Sequence, residues 1–336
     1  GFILIFAYVS ANTTGTVFRL TTFGESNGNA LGGVIDGCPS RIPWDEEFIR
    51  FQMQRRRPGL SPGATSRQED DHVEFLSGIY QGMTTGAPIA FLILNNDARP
   101  SDYAQAESLI RPGHAGWAWE QRFGIFDPRG GGRASARETA ARVAAGAVAN
   151  LLLRQQGIQI AAYVASMGPV EMEHLQWYPQ DLIEASPLRC PEPKAGEAMQ
   201  QYLESIALEG DTCGGIIRCY LRNVPAGLGN PVFDKLQASL AHAMMSIPAA
   251  KGFEYGEGFA AARMKGSDHN DTPVLRDGRI AYLTSHAGGI LGGISTGEDI
   301  VFNVAFKPVS SIQKPQPTLT RPGEPATWQP AGRHDV

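Results

Sequence analysis

The sequence predicts an α+β protein in which strands and helices fall in clusters rather than in strict βαβ alternation. Three observations carry this. Strand-like runs crowd the first third, the clearest helices come later, and Gly and Pro (39 and 23 of 336 residues) divide the chain into short elements.

The runs Val17–Thr22, Gly33–Asp36, Val73–Ile79 and Ile89–Leu94 are β-branched or aromatic and bounded by Gly, Pro and Asp. Between them, Asp45–Arg57 reads as a helix, with acidic residues in its first turn and three arginines in its last. That order suits the helix dipole, and Pro58-Gly59 stops the helix. Ser135-Ala-Arg-Glu138 reads as a capping box, in which the hydroxyl and the carboxylate each satisfy an end amide. Val143, Ala147, Val148, Leu151 and Leu152 form the apolar face of the helix it opens. Ala140, Ala144 and Gly146 admit close neighbours, so this helix is expected to be central. Met172–Cys190 reads as irregular surface chain. Ala195–Glu209 reads as a helix, Gly214–Arg222 as a strand and Val232–Ser246 as an amphipathic helix. Ile300–Lys307 reads as a strand, and Pro308 onward as a Pro-rich loop.

Residues 1–10 read as an apolar extension outside the fold, without a basic flank and too short to span a bilayer. Residues 11–336 read as a single domain. A formal charge of −5 argues against nucleic acid or an anionic membrane as partner, so any bound anion must meet a local cluster of cations. Cys38, Cys190, Cys213 and Cys219 lack metal-ligand spacing and read as mostly buried free thiols of a reducing, cytoplasmic compartment.

Glycine beside positive charge is the main chemical signal. Arg129-Gly-Gly-Gly-Arg133 runs directly into the capped helix, where exposed amides, the helix N-terminus and two guanidiniums suit an anion. A solvated flexible loop fits the same residues equally well. Arg111-Pro-Gly-His114 is a turn that presents His114 beside Arg111, and a histidine titrating near neutrality can give or take a proton. Lys307-Pro-Val-Ser-Ser311 offers a cation and two hydroxyls, and Arg333-His-Asp335 sets a cation beside a carboxylate.

Taken in order, these segments resemble the chorismate synthase family along nearly the whole chain. The resemblance is carried by Phe18-Arg-Leu-Thr-Thr-Phe-Gly-Glu-Ser26, Arg55-Arg-Arg-Pro-Gly59 and Ser77-Gly-Ile-Tyr-Gln-Gly-Met-Thr-Thr-Gly86. It continues through Arg111-Pro-Gly-His-Ala115, Arg129 to Arg133 and Ser135-Ala-Arg-Glu-Thr139. Ala287-Gly-Gly-Ile-Leu-Gly-Gly-Ile-Ser295, Lys307-Pro-Val-Ser-Ser-Ile312 and Gly332-Arg-His-Asp335 complete it.

The resemblance implies central helices sandwiched between antiparallel β-sheets and a homotetramer. It implies a lyase that removes phosphate from 5-enolpyruvylshikimate-3-phosphate by 1,4-anti elimination, with reduced FMN as cofactor. An arginine-lined pocket suits a substrate with two carboxylates and a phosphate. By motif, FMN is expected at Arg133, Ala134, Ser135, Pro248, Ala249, Gly292, Lys307, Pro308, Val309, Ser310, Ser311 and Arg333. Arg57 and Arg111 are the expected substrate ligands. Arg56 matches a position linked to NADPH in members that reduce their own flavin. His114 and Asp335 match the histidine and aspartate assigned to work beside the flavin.

The departures fall at the same places. Asn27 stands where the family's histidine gives a proton to the leaving phosphate, and an amide cannot deliver one at pH 7. Gly116 stands for Asp, Ala134 for Ser, Pro248 for Asn, Pro62 for a basic residue and Ser285 for Asn. The chain also stops where members continue, so a C-terminal segment is expected to be missing. Two readings stay open: a working enzyme, or an impaired member that binds FMN or a phosphorylated ligand without turnover.

Overall fold

The computed structural model describes residues 11–57, 69–97 and 107–329. These divide into two compact units. The first holds the described residues up to Arg57, those between 69 and 97, and Trp119–Leu152; the second holds the rest.

The first unit is built on one five-stranded sheet. Its strands are β1 (Thr13–Thr14), β2 (Arg19–Gly24), β3 (Ala30–Asp36), β4 (Val73–Phe75) and, after the short hairpin of β5 (Ile79–Tyr80) and β6 (Met83–Thr84), β7 (Ile89–Leu94). The order is β1-β2-β3-β7-β4, antiparallel throughout. Leu31, Ile35, Ile89, Phe91 and Ile93 share one face and are wholly buried, each contributing about 1.5–3 kcal/mol. Gly33 lies opposite Phe91, where a Cβ would come within 2.7 Å of the ring, so only glycine leaves room for it. Helix α1 (Glu46–Arg56) is capped by Asp45, whose carboxylate accepts from Phe48 N at 2.9 Å, and it buries Ile49 and Met53.

After α2 (Gly116–Phe123), a 3₁₀ turn at Ala136–Glu138 leads into α3 (Thr139–Gln155). The capping box forms differently from its sequence pattern. Ser135 Oγ accepts from Arg137 N at 3.3 Å, while the Glu138 carboxylate pairs with Arg142 one turn on. Alanines 140, 141, 144, 145 and 147 join Val148 and Leu151 in the core with the sheet and α1. Gly146 instead faces open space and admits no neighbour.

The second unit adds β8 (Gln159–Met167), β9 (Val170–Glu171), α4 (Gln180–Ala185), α5 (Pro193–Leu208), β10 (Gly215–Arg222), α6 (Leu236–Met245) and β11 (Ala250–Tyr255). It continues with α7 (Gly266–His269), the hairpins β12 (Pro273–Arg276)–β13 (Arg279–Tyr282) and β14 (Ile290–Leu291)–β15 (Ile294–Ser295), then β16 (Ile300–Phe306). The hairpin β17 (Gln316–Leu319)–β18 (Pro325–Trp328) ends it. The main sheet runs β11-β16-β10-β8-β9, again antiparallel. Two separate apolar clusters draw on it. One contains Met199 and Leu203 of α5, and the other packs Leu236 and Leu240 of α6 with β16. A strand contributing to both clusters reads as a nearly continuous apolar run, as Ile300–Phe306 does.

Two expectations fail here. The 172–190 segment carries helix α4 and is not superficial: Met172, Tyr178, Ile183, Leu188 and Cys190 are core residues, because this chain covers the sheet. The Pro-rich stretch after Pro308 contains β17 and β18, with Pro317 and Pro325 inside them. The amphipathic helix read over Val232–Ser246 is found as the shorter α6, whose Leu236, Leu240 and Met244 are partly buried against the cluster that includes β16. All four cysteines are free; Cys38 and Cys190 are buried, and burial pushes the Cys219 thiol up to about 12.

Candidate active site

The candidate site residues form two clusters, one in each unit. In the first, the glycine turn packs on the Gly24–Asn27 loop. Gly130, Gly131 and Gly132 all have positive φ (63°, 86° and 53°), which L side chains rarely adopt. A Cβ on Gly130 would lie 2.1 Å from Asn27 Nδ2, so this glycine also gives Asn27 its place. Ser26 N donates to Gly132 O at 3.2 Å, and both Ser26 and Asn27 are buried.

The arginines of this turn are already occupied by protein. Arg129 forms a two-pronged pair with Asp127 at 2.9 Å, and that pair holds the Asp127 carboxyl below its usual range. Arg133 donates to Gly24 O (3.2 Å), Thr22 Oγ1 (2.8 Å) and Asn12 Oδ1 (3.1 Å). Arg129 stays exposed to solvent within its local pair, whereas Arg133 is half-buried and tied to three groups of the protein. Arg56 pairs with Asp71, and Arg57 donates through Nε to Glu69 O at 3.1 Å while lying 3.5 Å from Asp70. Asp71 and Glu69 are buried together with Arg137, and none of these three was singled out from sequence. The visible signal was the acidic run Glu69-Asp70-Asp71; nothing near Arg137 in sequence marks it as their partner.

In the second cluster, Arg111-Pro-Gly-His114 closes as a turn, with His114 N donating to Arg111 O at 3.3 Å and Gly113 at φ 66°. Its approach is anchored by β17: Ile110 N donates to Leu319 O at 3.0 Å and Thr318 Oγ1 donates to Ile110 O. Arg111 donates to Ser311 Oγ at 2.9 Å and lies over the Trp328 ring, 5.6 Å from its centroid. Lys307 donates to Ser310 Oγ and to Pro308 O (3.2 Å), and Ser310 Oγ donates to Gly113 O at 2.8 Å. Val309 O accepts from Thr212 Oγ1 at 2.7 Å. Lys307 N reaches Ala249 O at 3.1 Å, and Ala249, next to Pro248, is held in the left-handed region at φ 68°.

His114 differs from its sequence expectation. Burial first, then the charges of Arg111 and Lys307, lower its pKa to about 3. Nδ1 accepts from Gly116 N at 3.0 Å, so the proton of the neutral ring sits on Nε2. The imidazole is therefore a fixed hydrogen-bond donor at neutral pH rather than a titrating group. Lys307 is lowered too, by burial and by Lys251, which marks the region as positively charged.

Gly292 stands apart in the β14–β15 turn, on the wall of a 570 Å³ cavity whose described lining includes His269 and His286 but none of the cations above. Half-buried Asp271, another residue missed from sequence, steadies the approach to that turn by accepting from His286 N (2.8 Å) and Ala287 N (2.9 Å). Arg333, Asp335 and Pro62 lie outside the described residues.

The cations and hydroxyls around His114 have the chemistry to meet an anion. The family model for chorismate synthase matches residues 18–336. A chorismate synthase of Porphyromonas gingivalis is 52% identical over 327 residues, 96% of this chain and 89% of that protein. One of Parabacteroides distasonis is 50% identical over 325 residues, 96% of this chain and 91% of that protein. A crystal structure of chorismate synthase superimposes with a TM-score of 0.74 at 34% identity, covering 88% of this chain and 86% of the other. The chain belongs to the chorismate synthase family.

Proposed function

We propose that this chain is a working chorismate synthase, forming chorismate from 5-enolpyruvylshikimate-3-phosphate by eliminating phosphate and a hydrogen. The observation that carries the reading is the positive field around His114. Burial, then the charges of Arg111 and Lys307, hold that ring neutral, and Lys307 meets a hydroxyl and a carbonyl. Such a cluster suits an anionic substrate.

The same cluster fits reduced FMN, which when bound lends electron density to the substrate and takes up the departing hydrogen. Lys307, Ser310, Ser311 and the strained Ala249 would hold it, and His114 would offer its Nε2 proton as a hydrogen bond. Arg57 and Arg111 bind substrate carboxylate or phosphate. Arg133 orders the glycine turn that leads to Ala134 and Ser135. Asp335 and Arg333 complete the assignment, which treats residues 11–336 as one functional domain. A cytoplasmic homotetramer belongs to the same reading. NADPH has the least support, since Arg56 spends its guanidinium on Asp71.

Asn27 favours a second reading, an impaired member. Its amide can donate to a phosphate oxygen but supplies no proton, and losing a general acid lowers rate by about 10²–10⁴-fold. Anaerobic turnover with dithionite-reduced FMN, followed by chorismate absorbance, tests both. Product formed in proportion to protein supports the enzyme, and Asn27→His is then expected to raise kcat. Flavin binding without product supports the impaired member.

A further inference from the structure

The β17–β18 hairpin brings one large side chain against Arg111. Trp328 is only 5% exposed, yet among the described residues it belongs to none of the three apolar clusters. It lies instead beneath Arg111, whose guanidinium carbon is 5.6 Å from the ring centroid. A cation within about 6 Å of an aromatic face is attracted by the ring quadrupole, most strongly by that of tryptophan. The hairpin's register explains the placement. Trp328 pairs with Gln316 and Ala326 with Thr318, so these four side chains share one face. Thr318 ties that face to the chain just before Arg111 by donating to Ile110 O. Gln316, opposite the indole, has a buried Oε1 with no hydrogen-bond partner among the described residues. Such an acceptor costs stability, which speaks against a face shaped for packing alone.

We infer that Trp328 is a positioning residue that seats Arg111 for an anion through its aromatic face. The inference rests on the proposed function, in which Arg111 binds a carboxylate or phosphate of the substrate. An indole attracts a guanidinium without neutralising it, whereas a carboxylate neutralises its partner, as Asp127 does for Arg129. The attraction orders the head group in advance, so less rotamer freedom is lost when the anion arrives.

The test is calorimetric titration of substrate into the full chain with oxidised FMN, which does not turn over. It compares Trp328→Phe, Trp328→Leu, Arg111→Gln and the double variant Arg111→Gln/Trp328→Leu. Met199→Ala, a truncation in the α5 cluster, controls for lost stability and is expected to bind as wild type does. Trp328→Leu should weaken binding about 10-fold, and Trp328→Phe, which keeps a weaker aromatic face, about 3-fold. In the Arg111→Gln background Trp328→Leu should cost less than about twofold, because the indole acts only through that guanidinium. An equal loss in both backgrounds overturns the inference, as do wild-type affinity in Trp328→Leu and equal losses in the Phe and Leu variants. If Trp328→Leu does not fold, Trp328→Phe with and without Arg111→Gln decides by the same criterion. If Arg111→Gln binds too weakly to titrate, the ranking of wild type, Trp328→Phe and Trp328→Leu decides by itself. A wild type that binds inorganic phosphate but not the substrate fails the proposed function alone, and the same variants titrated with phosphate then decide the inference. Binding of neither overturns both.

Discussion

The two clusters use the same residue types to opposite ends. Around the first unit's glycine turn, arginines are matched by groups of the protein: Arg129 by Asp127, Arg137 and Arg56 by Asp71, Arg133 by a carbonyl, an amide and a hydroxyl. In the second unit Lys307 meets a hydroxyl and a carbonyl, and burial, then neighbouring charges, depress both His114 and Lys307. A cation matched by a buried carboxylate serves architecture, because removing either partner strands the other. A cation left in a positive field weakens nothing when an anion arrives and gains from it. Charge by itself therefore does not mark a binding residue; its partner does.

The largest expected effect breaks the first side of this contrast. Asp71→Ala would strand the buried guanidinium of Arg137 and the half-buried one of Arg56 and should cost about 3–5 kcal/mol of stability, seen as a lower urea midpoint at unchanged slope. A loss under about 1 kcal/mol would mean that the network is not what holds the unit. Lys307→Gln addresses the other side. Stability should stay within about 0.5 kcal/mol or rise, while substrate binding weakens by roughly 10–100-fold in calorimetric titration. Destabilisation with unchanged affinity would place Lys307 with the architectural cations.

The smallest effect is in titration. His114 has a folded pKa of about 3 against 6.5 for the free side chain. Between those values the unfolded chain binds a proton that the folded chain refuses, so this group's contribution to stability falls as pH drops from 6.5 towards 3. Above 6.5 it has no effect. NMR of the ring should show no titration between about pH 5 and 8, and added inorganic phosphate should raise the pKa. A midpoint near 6.5 without phosphate would remove the field on which the contrast depends.

Much of this was legible in the sequence where local signals and tertiary structure agree. Ile89–Leu94 is a strand as predicted, Asp45 caps α1 as its position suggests, and Pro112-Gly113 makes the turn before His114. What escaped depended on distant chain. The apolar residues of 172–190 look like loop residues until the sheet they cover is known, and β17 and β18 pair through prolines that sequence reads as breakers. His114 looked like a titrating histidine because Lys307, which helps to suppress it, is far away in sequence. Arg137 looked like a helix-end residue because its partners Asp71 and Asn95 come much earlier in the chain.

The β17 contacts also set an order of events during synthesis. The segment before Arg111 is held by Thr318 and Arg321, and Arg111 by Ser311, across separations of 200 to 214 residues. At about 5–20 residues per second, a ribosome needs roughly 10–40 s to deliver those partners after Arg111 emerges. The first unit's sheet and its helices α1 and α3 are encoded before that interval ends, so they can be folded while the histidine turn still waits. A chain stopped before Gln316 would then carry a finished first cluster and an unformed second one, and arrival of the β17–β18 hairpin would decide when the histidine turn closes.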